Sequence, residues 1–189
     1  MPSPIAHLSM GAALWGLWDA TRPAPLKPVS RIKRVTGFLG FLGASLLPDL
    51  DAVPGFIVGD LYSFHNQEMH SLFAAAAVSL VAGWIGGRFR RIRFSRSIFA
   101  ITFVSYVLHL LMDLFTHGRG LRLFWPLYSG RIQAPVEVFR GLRWSEGFWY
   151  AGHLSTMLEE LIFAALLLSL VWVIRKKWFF GLKNPPDSV

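Results

Sequence analysis

Apolar and polar stretches alternate along the chain in a pattern that predicts membrane helices. The apolar stretches cover residues 4–18, 36–47, 69–87, 97–116 and 156–174. An α-helix needs about 20 apolar residues to cross a bilayer, and the last three stretches approach that length. The first two are shorter, so they must tilt, enter part-way or meet thinned lipid. The pattern therefore predicts an all-α, integral membrane helical bundle of about five helices, with helices 1 and 2 short.

The spacing of these stretches also sets the domain organisation. A chain of 189 residues is long enough for one such bundle. We predict a single membrane-embedded helical domain over residues 1–180, in which residues 117–155 form a long outer loop. The polar end of the chain, residues 181–189, is predicted to be a disordered tail.

Composition supports a membrane protein and narrows its partners. Hydrophobic residues make up 53% of the chain, yet Lys and Arg outnumber Asp and Glu by 19 to 11. A nucleic-acid binder would carry its basic residues on a polar surface, so we expect no nucleic-acid partner. The expected partners are membrane lipid and a small-molecule or lipid substrate, with the oligomeric state left open. The absence of cysteine excludes disulfides and thiolate metal sites.

The distribution of basic residues predicts the orientation. Residues 19–35, residues 88–96 and the segment after residue 174 together hold 14 of the 19 basic residues. If all five helices cross, these connections lie on one side, which the positive-inside rule makes cytoplasmic. The sequence thus predicts a multi-pass protein of the cell inner membrane, with residues 48–68 and the outer loop facing the periplasm.

All six histidines then fall on the periplasmic face. They are His7, His65, His70, His109, His117 and His153. The topology was derived from charge alone, so this convergence is independent evidence for a functional site. We rank His117 and His153 below the others, because both fit surface loops.

The stretch HLLMDLFTHG places His109 and Asp113 four residues apart at the end of an apolar run. On a helix these side chains share a face and can reach one ion. Ionisable groups at membrane depth usually face the bundle interior or a polar cavity. Taken alone, the spacing of four is equally consistent with a polar pair that packs one helix against another and binds no metal.

A second acidic pair lies in LLPDLDAVPG. Pro48 ends the second apolar stretch, so Asp49 and Asp51 lie on extended or turn backbone and project to the same side. Two neighbouring carboxylates repel each other unless a cation or a proton intervenes. We predict both as metal ligands, and either as a general base. The alternative is a hydrophilic loop at a helix end.

Five further residues complete the predicted site. His7, His65 and His70 are predicted ligands, although each taken singly also fits an interfacial side chain. Glu159 is a third candidate base, or a carboxylate favoured by a helix N-terminus. Arg131 is the predicted substrate-binding residue, because a guanidinium group suits phosphate or carboxylate. The other arginines of the loop fit an interfacial segment rich in aromatic residues.

These ligand types predict the cofactor and the chemistry. Imidazole and carboxylate without thiolate suit a divalent metal, Zn first, with Mn or Fe as alternatives. A catalytic site keeps one position open for a water whose pKa falls toward about 7. The predicted function is a metal-dependent hydrolase. Two alternatives are a haem-binding protein with paired histidines and a structural or regulatory membrane protein without catalysis.

The order of four motifs resembles a known family. PSPIAHLSMG, LLPDLD, HNQEMHS, and HLLMDLFTHG followed by FWPLYSGR are similar to elements of the bacterial and archaeal inner-membrane metal-dependent hydrolases, also described as LexA-binding membrane proteins. The match covers roughly residues 1–135. Asn66 and Met69 stand where family members often have arginine and threonine. The HxxxD element also resembles one in zinc-dependent phospholipases C, which implies hydrolysis of a phosphoester or lipid headgroup.

Overall fold

The chain folds into a helical membrane bundle, as the apolar pattern predicts. The computed structural model describes residues 2–21, 29–147 and 149–183. The helices are α1 (Pro4–Thr21), α2 (Arg31–Ser45), α3 (Ala52–Val58), α4 (Leu61–Phe64), α5 (Leu72–Phe89), α6 (Arg96–Leu114) and α7 (Gly152–Lys183). Single 3₁₀ turns occupy Pro48–Asp51 and Trp144–Glu146. Within the described ranges no strand forms, and two isolated bridges tie the outer loop together.

The five predicted segments correspond to α1, α2, α5, α6 and α7. The last three are long and apolar enough to cross a membrane. Helix α2 and the segment Pro48–Val58 together are also long and apolar enough to cross, as one span bent by 58°. Helix α1 has 18 residues, as many as α5, and is about 27 Å long at 1.5 Å per residue. It exceeds its predicted range because Asp19–Thr21 add a polar last turn.

Serine caps begin three of these helices and explain their observed starts. The hydroxyl groups of Ser30, Ser71 and Ser95 accept hydrogen bonds from backbone N–H groups in the first turns of α2, α5 and α6. Such caps satisfy donors that have no partner inside the helix. The turn between α5 and α6 is tight, because a Cβ atom at Gly87 would lie 2.9 Å from the backbone nitrogen of Phe94.

Alternating helix directions divide the molecule into two ends. Asp19, at the end of α1, accepts hydrogen bonds of 3.0 Å from both Arg34 of α2 and Arg175 of α7. This is the charged end. At the other end, Glu160 in the third turn of α7 accepts hydrogen bonds from Ser3, just before α1. We call this the site end, because α1, α5 and α7 begin there and α2 and α6 end there.

The outer loop and the chain end differ slightly from their predicted bounds. Helix α7 begins at Gly152, so the loop after α6 ends earlier than residue 155. Its backbone is tied to the bundle where the Ala134 N–H donates to the Leu114 carbonyl. Helix α7 continues to Lys183, past the predicted start of the tail. Residues 184–189, and the basic residues Arg22 and Lys27, lie outside the described residues.

Candidate metal centre

Four parts of the chain bring histidine and aspartate side chains together at the site end. The residues are His7 in the first turn of α1, Asp49 and Asp51 in the turn after α2, His65 and His70 between α4 and α5, and His109 and Asp113 in the last two turns of α6. His7, His70, His109 and Asp113 are each 3% exposed or less. The structure therefore assembles every histidine and aspartate that the sequence predicted as a metal ligand.

Four donor atoms of this cluster lie at distances typical of ligand atoms that share one metal ion. The His109 Nε2 atom lies 3.4 Å from His70 Nε2, 3.4 Å from Asp49 Oδ1 and 3.2 Å from Asp113 Oδ2. The His70 Nε2 atom lies 3.6 Å from Asp49 Oδ1 and 3.4 Å from Asp113 Oδ2. Zinc bonds of about 2.0–2.1 Å in a tetrahedron place neighbouring ligand atoms about 3.3 Å apart. The five distances match that value closely.

Hydrogen bonds on the outer side of the rings aim the ligand nitrogens inward. Asp51 lies 2.7 Å from Nδ1 of His65 and 2.9 Å from Nδ1 of His70. The Ser45 carbonyl lies 2.8 Å from Nδ1 of His109. We assign the ring proton to Nδ1 in all three rings, because a carboxylate and a carbonyl can only accept. The Nε2 lone pairs of His70 and His109 then face the other donor atoms of the cluster, the orientation found in carboxylate–histidine–zinc arrangements.

This geometry refines the predicted role of Asp51. Both of its carboxylate oxygens face Nδ1 atoms, and the Asp51 Oδ2 atom also accepts a hydrogen bond from the backbone N–H of Gln67. Asp49, two residues earlier, instead points its Oδ1 atom at the ligand nitrogens of His65, His70 and His109. Asp49 is therefore the inner carboxylate, and Asp51 is the one that orients the histidine rings.

His7 lies on the deep side of the cluster without a hydrogen-bond partner. Its ring is stacked on that of His109 with centroids 3.6 Å apart, and its Nε2 atom is 3.4 Å from Asp113 Oδ1. Neither ring nitrogen of His7, nor either carboxylate oxygen of Asp113, makes a hydrogen bond, although all four atoms are buried. Buried polar atoms are nearly always paired. A bound cation would supply the partner that these atoms lack.

The cluster opens to its surroundings beside Asp49. The Asp49 side chain is 21% exposed, whereas those of Asp51 and His65 are each 8% exposed. The remaining ligand candidates are closed off by α1, α5 and α6. Asp49 and His65, whose Nε2 and Oδ1 atoms are 3.6 Å apart, therefore form the mouth of the centre.

The acidic side chains make the cluster attractive to cations. His70 lies just before α5, where burial disfavours its charged form. Hydrogen bonds to Asp49 and Asp51 outweigh that burial and raise the pKa of His70 to about 9. In the absence of metal, the carboxylates thus favour a protonated His70 ring, and a divalent ion would compete for the same electron pair.

Arginines of the outer loop hold the segment that carries His65. The Arg131 Nη1 atom donates to the carbonyls of Asn66, at 3.1 Å, and Gly120, at 3.0 Å. Arg119 donates to the His65 carbonyl, and its guanidinium lies 4.4 Å from the centroid of the Tyr62 ring. Sequence reasoning selected Arg131 and overlooked Arg119, because nothing in the local sequence distinguishes it from the other arginines of the loop.

Three further candidates lie outside the cluster. Glu159, predicted as a base, pairs with Arg140 at 2.9 Å instead of reaching the centre. His117 pairs with Glu137 at 2.8 Å on an exposed surface. The His153 Nε2 atom lies 3.0 Å from the Gly147 carbonyl. The structure thus agrees with the lower rank of these two histidines and does not bring Glu159 to the metal ligands.

Glu160, the residue after Glu159, binds the start of α1. Glu160 is fully buried and accepts hydrogen bonds from the backbone N–H groups of Ser3, at 2.6 Å, and Ala6, at 3.3 Å, as well as from the Ser3 hydroxyl. A carboxylate at the start of α1 satisfies free N–H groups and favours the positive end of the helix dipole. Glu160 therefore fixes the first turn of α1, which carries His7.

Comparison with known proteins agrees with the membrane architecture. The family described as YdjM inner membrane protein matches residues 1–179. The chain belongs to this family. Inner membrane protein YbcI of Escherichia coli (strain K12) is 29% identical over 185 residues, which cover 93% of this chain and 100% of the relative. No solved structure matches the chain.

Membership in the YdjM family confirms the predicted location. The family is one of inner membrane proteins, and α5, α6 and α7 each have the length and composition of a span. The protein is therefore a multi-pass inner membrane protein. The buried cluster lies where helices of this bundle end, a position typical of functional polar groups in membrane proteins.

One supporting residue of the centre was missed. Tyr106 lies three positions before His109 and is fully buried, and its hydroxyl donates a 2.6 Å hydrogen bond to the carbonyl of Met69. That bond fixes the backbone next to His70. The spacing of three places Tyr106 on the ligand face of α6, so helical periodicity was the signal that could have identified it.

Proposed function

We propose that the protein is a membrane-bound metal-dependent hydrolase. It acts on a phosphoester or ester of a lipid or other membrane-proximal substrate. The observation that carries the proposal is the close spacing of four donor atoms, of which the two histidine nitrogens are held in the ligating orientation. Zinc suits this donor set best, and Mn or Fe are alternatives.

The side chains of the cluster divide the work of such a site. His70, His109 and Asp113 would hold an ion from the buried side, and Asp49 would contact it at the mouth, the side from which a water could reach it. A divalent ion supplies Lewis acidity and lowers the pKa of a bound water. Asp49 is the exposed carboxylate, so it is placed to take a proton from a water that enters there. Asp51 keeps the rings of His65 and His70 oriented.

The arginines near the mouth favour an anionic substrate. Burial, and then the charges of Arg119 and Arg122, lower the pKa of Arg131. The three guanidinium groups are therefore close to one another, and Glu68 is paired with Arg122 at 2.6 Å. A net positive region beside the metal ligands would attract phosphate. In this proposal Arg131 contributes to substrate binding through that field while bracing the His65 segment.

The charge distribution supports a periplasmic position for the centre. The charged end holds the Asp19, Arg34 and Arg175 network, and basic residues concentrate in the connections at that end. The positive-inside rule then assigns the site end to the periplasm. A LexA-binding role forms no part of the proposal, because the centre faces away from the cytoplasm in this orientation.

The paired histidines do not support haem binding. A bis-histidine haem needs two rings that point at one iron from opposite faces of the porphyrin. The rings of His7 and His109 are instead stacked with an interplanar angle of 15° and centroids 3.6 Å apart. No porphyrin plane fits between them, whereas a compact metal ion suits the edge where their nitrogens meet Asp113.

Metal content tests the proposal directly. Detergent-purified protein is compared with the double variant His109→Ala, Asp113→Ala by elemental mass spectrometry, with His117→Ala as a matched control outside the cluster. We expect one or two equivalents of Zn, Mn or Fe in the wild type and the control, and none in the folded double variant. The same three proteins are assayed against phosphoesters and esters, with and without chelator.

Two results would overturn the proposal. One is a wild type that binds no metal even after reconstitution, and the other is metal that survives in the double variant. Bound metal without hydrolysis of any phosphoester or ester would leave the structural or regulatory role as the better explanation.

A further inference from the structure

A short apolar helix adjoins the mouth of the centre. The 3₁₀ turn Pro48–Asp51 continues directly into α3, Ala52–Val58. Within that turn Asp49 and Asp51 face the cluster, whereas Leu50 between them is 55% exposed. The same turn therefore presents carboxylates inward and an apolar side chain outward.

Helix α3 extends this apolar surface away from the centre. Its buried residues are the small Ala52 and Gly55, while Val53, Phe56 and Ile57 are exposed, Ile57 by 80%. The segment AVPGFIV carries no charge. Contiguous apolar surface of this kind is unfavourable in water and typical of helices at the boundary between headgroups and acyl chains.

The membrane is the occupant that continuity favours for this surface. Helix α2 and Pro48–Val58 have the length and composition of one membrane span, bent by 58°. Helix α2 also exposes apolar side chains, Ile32, Val35 and Leu39, so both parts of this bent segment present apolar surface outward. The bend turns α3 away from the direction of α2 at the level of the metal ligands.

We propose that α3 lies in the lipid leaflet at the site end, and that the centre takes from this leaflet a lipid with a phosphoester headgroup, whose chain packs on α3. The assignment of the substrate rests on the proposed function, whereas the placement of α3 does not. Ile57 lies six residues after Asp51, about 9 Å along a helix. A chain packed on α3 would therefore extend about 9 Å from the metal ligands.

Spin labels test the placement of α3 without any assay of activity. The chain has no cysteine, so Val53→Cys and Ile57→Cys each offer a single labelling site. Leu166→Cys, 67% exposed in the middle of α7, serves as the lipid reference, and Ser145→Cys in the outer loop serves as the water reference. Protein in phosphatidylglycerol vesicles is measured for collision of the nitroxide with oxygen and with a water-soluble nickel complex.

The labels decide between lipid and water. We expect both α3 labels to follow Leu166→Cys, with collisions dominated by oxygen. Nickel collisions as frequent as at Ser145→Cys would overturn the placement. So would rare collisions with both reagents, which would indicate that another protein copy covers α3.

Hydrolysis tests the substrate. Ile57→Asp is compared with wild type and with the conservative Ile57→Leu on phosphatidylglycerol vesicles and on bis(p-nitrophenyl) phosphate. We expect Ile57→Asp to slow lipid hydrolysis by about tenfold, because a carboxylate is unfavourable in lipid, while metal content and hydrolysis of the soluble ester stay unchanged. Ile57→Leu should behave as wild type.

Equal losses on both substrates, or no loss on lipid, would overturn the lipid assignment. So would a wild type that hydrolyses only the soluble ester. A wild type that binds metal and hydrolyses neither substrate would refute the proposed function and the substrate assignment together, while the spin labels still decide where α3 lies.

Discussion

Replacing Asp51 by asparagine distinguishes a carboxylate that orients ligands from one that binds the ion. Asp51 accepts hydrogen bonds at 2.7 and 2.9 Å from the Nδ1 atoms of His65 and His70. An amide of the same shape keeps one acceptor oxygen and turns an NH₂ group toward the other ring. That ring must then accept at Nδ1 and carry its proton on Nε2, where it can no longer bind metal.

We expect the Zn²⁺ affinity of Asp51→Asn to lie between that of the wild type and that of a variant without an inner ligand. Partners of metal-ligating histidines typically contribute about 10–100-fold in affinity, which corresponds to about 1.4–2.7 kcal/mol. We therefore expect Asp51→Asn to raise the Kd for Zn²⁺ by about 10–100-fold. Loss of an inner ligand, as in Asp49→Ala, should weaken binding further, since it removes a bond to the ion as well.

Competition with a chromophoric chelator in detergent measures these constants. Glu137→Gln is the matched control, because Glu137 makes a similar hydrogen bond of 2.8 Å to His117 on an exposed surface away from the cluster. An unchanged Kd in Asp51→Asn would refute the orienting role. A loss as large as that of Asp49→Ala would show that Asp51 binds the ion itself.

Three other predictions concern the packing around the centre. Glu160→Gln should lower the Tm in detergent, since disturbing the buried bonds at the start of α1 costs about 1–3 kcal/mol. Tyr106→Phe should cost about 1 kcal/mol through the lost bond to the Met69 carbonyl, measured as a lower Tm; a rise or no change would contradict it. Gly87→Ala should cost about 1–3 kcal/mol, because the added Cβ would lie 2.9 Å from backbone atoms. Its control, Gly43→Ala, meets nothing within 4 Å and should leave the Tm unchanged or higher.

The long helices were predictable because the bilayer imposes their length. A backbone in lipid must satisfy its own hydrogen bonds, so an apolar run of sufficient length becomes a helix. Helix α3 was not predicted: its seven residues contain Pro54 and Gly55, and the segment was assigned to an outer loop. Proline is compatible with the first turn of a helix, so the composition that indicated a loop also allowed a short helix.

The site was predictable where one rigid element sets the geometry. His109 and Asp113 share a face of α6 through their spacing alone. The orienting role of Asp51 depends on rings 14 and 19 residues away, and no local pattern encodes which ring nitrogen faces it. The choice between Glu159 and Glu160 likewise depends on how α7 is rotated against α1, which only tertiary packing determines.

Because Glu160 hydrogen-bonds to Ser3, the start of α1 can reach its final structure only after α7 has been synthesised. The two residues are separated by 157 positions, so the start of the first helix is held by a carboxylate in the last helix. During synthesis, α1 can enter the membrane early, yet its first turn gains this partner only after α7 has been made. His7 lies in that turn, and the other ligands are all present once α6 is complete. Metal captured before α7 docks would therefore meet a centre without a fixed His7, whose ring stacks on that of His109 and lies 3.4 Å from Asp113. In the proposed site, metal affinity would therefore rise when α7 completes the assembly.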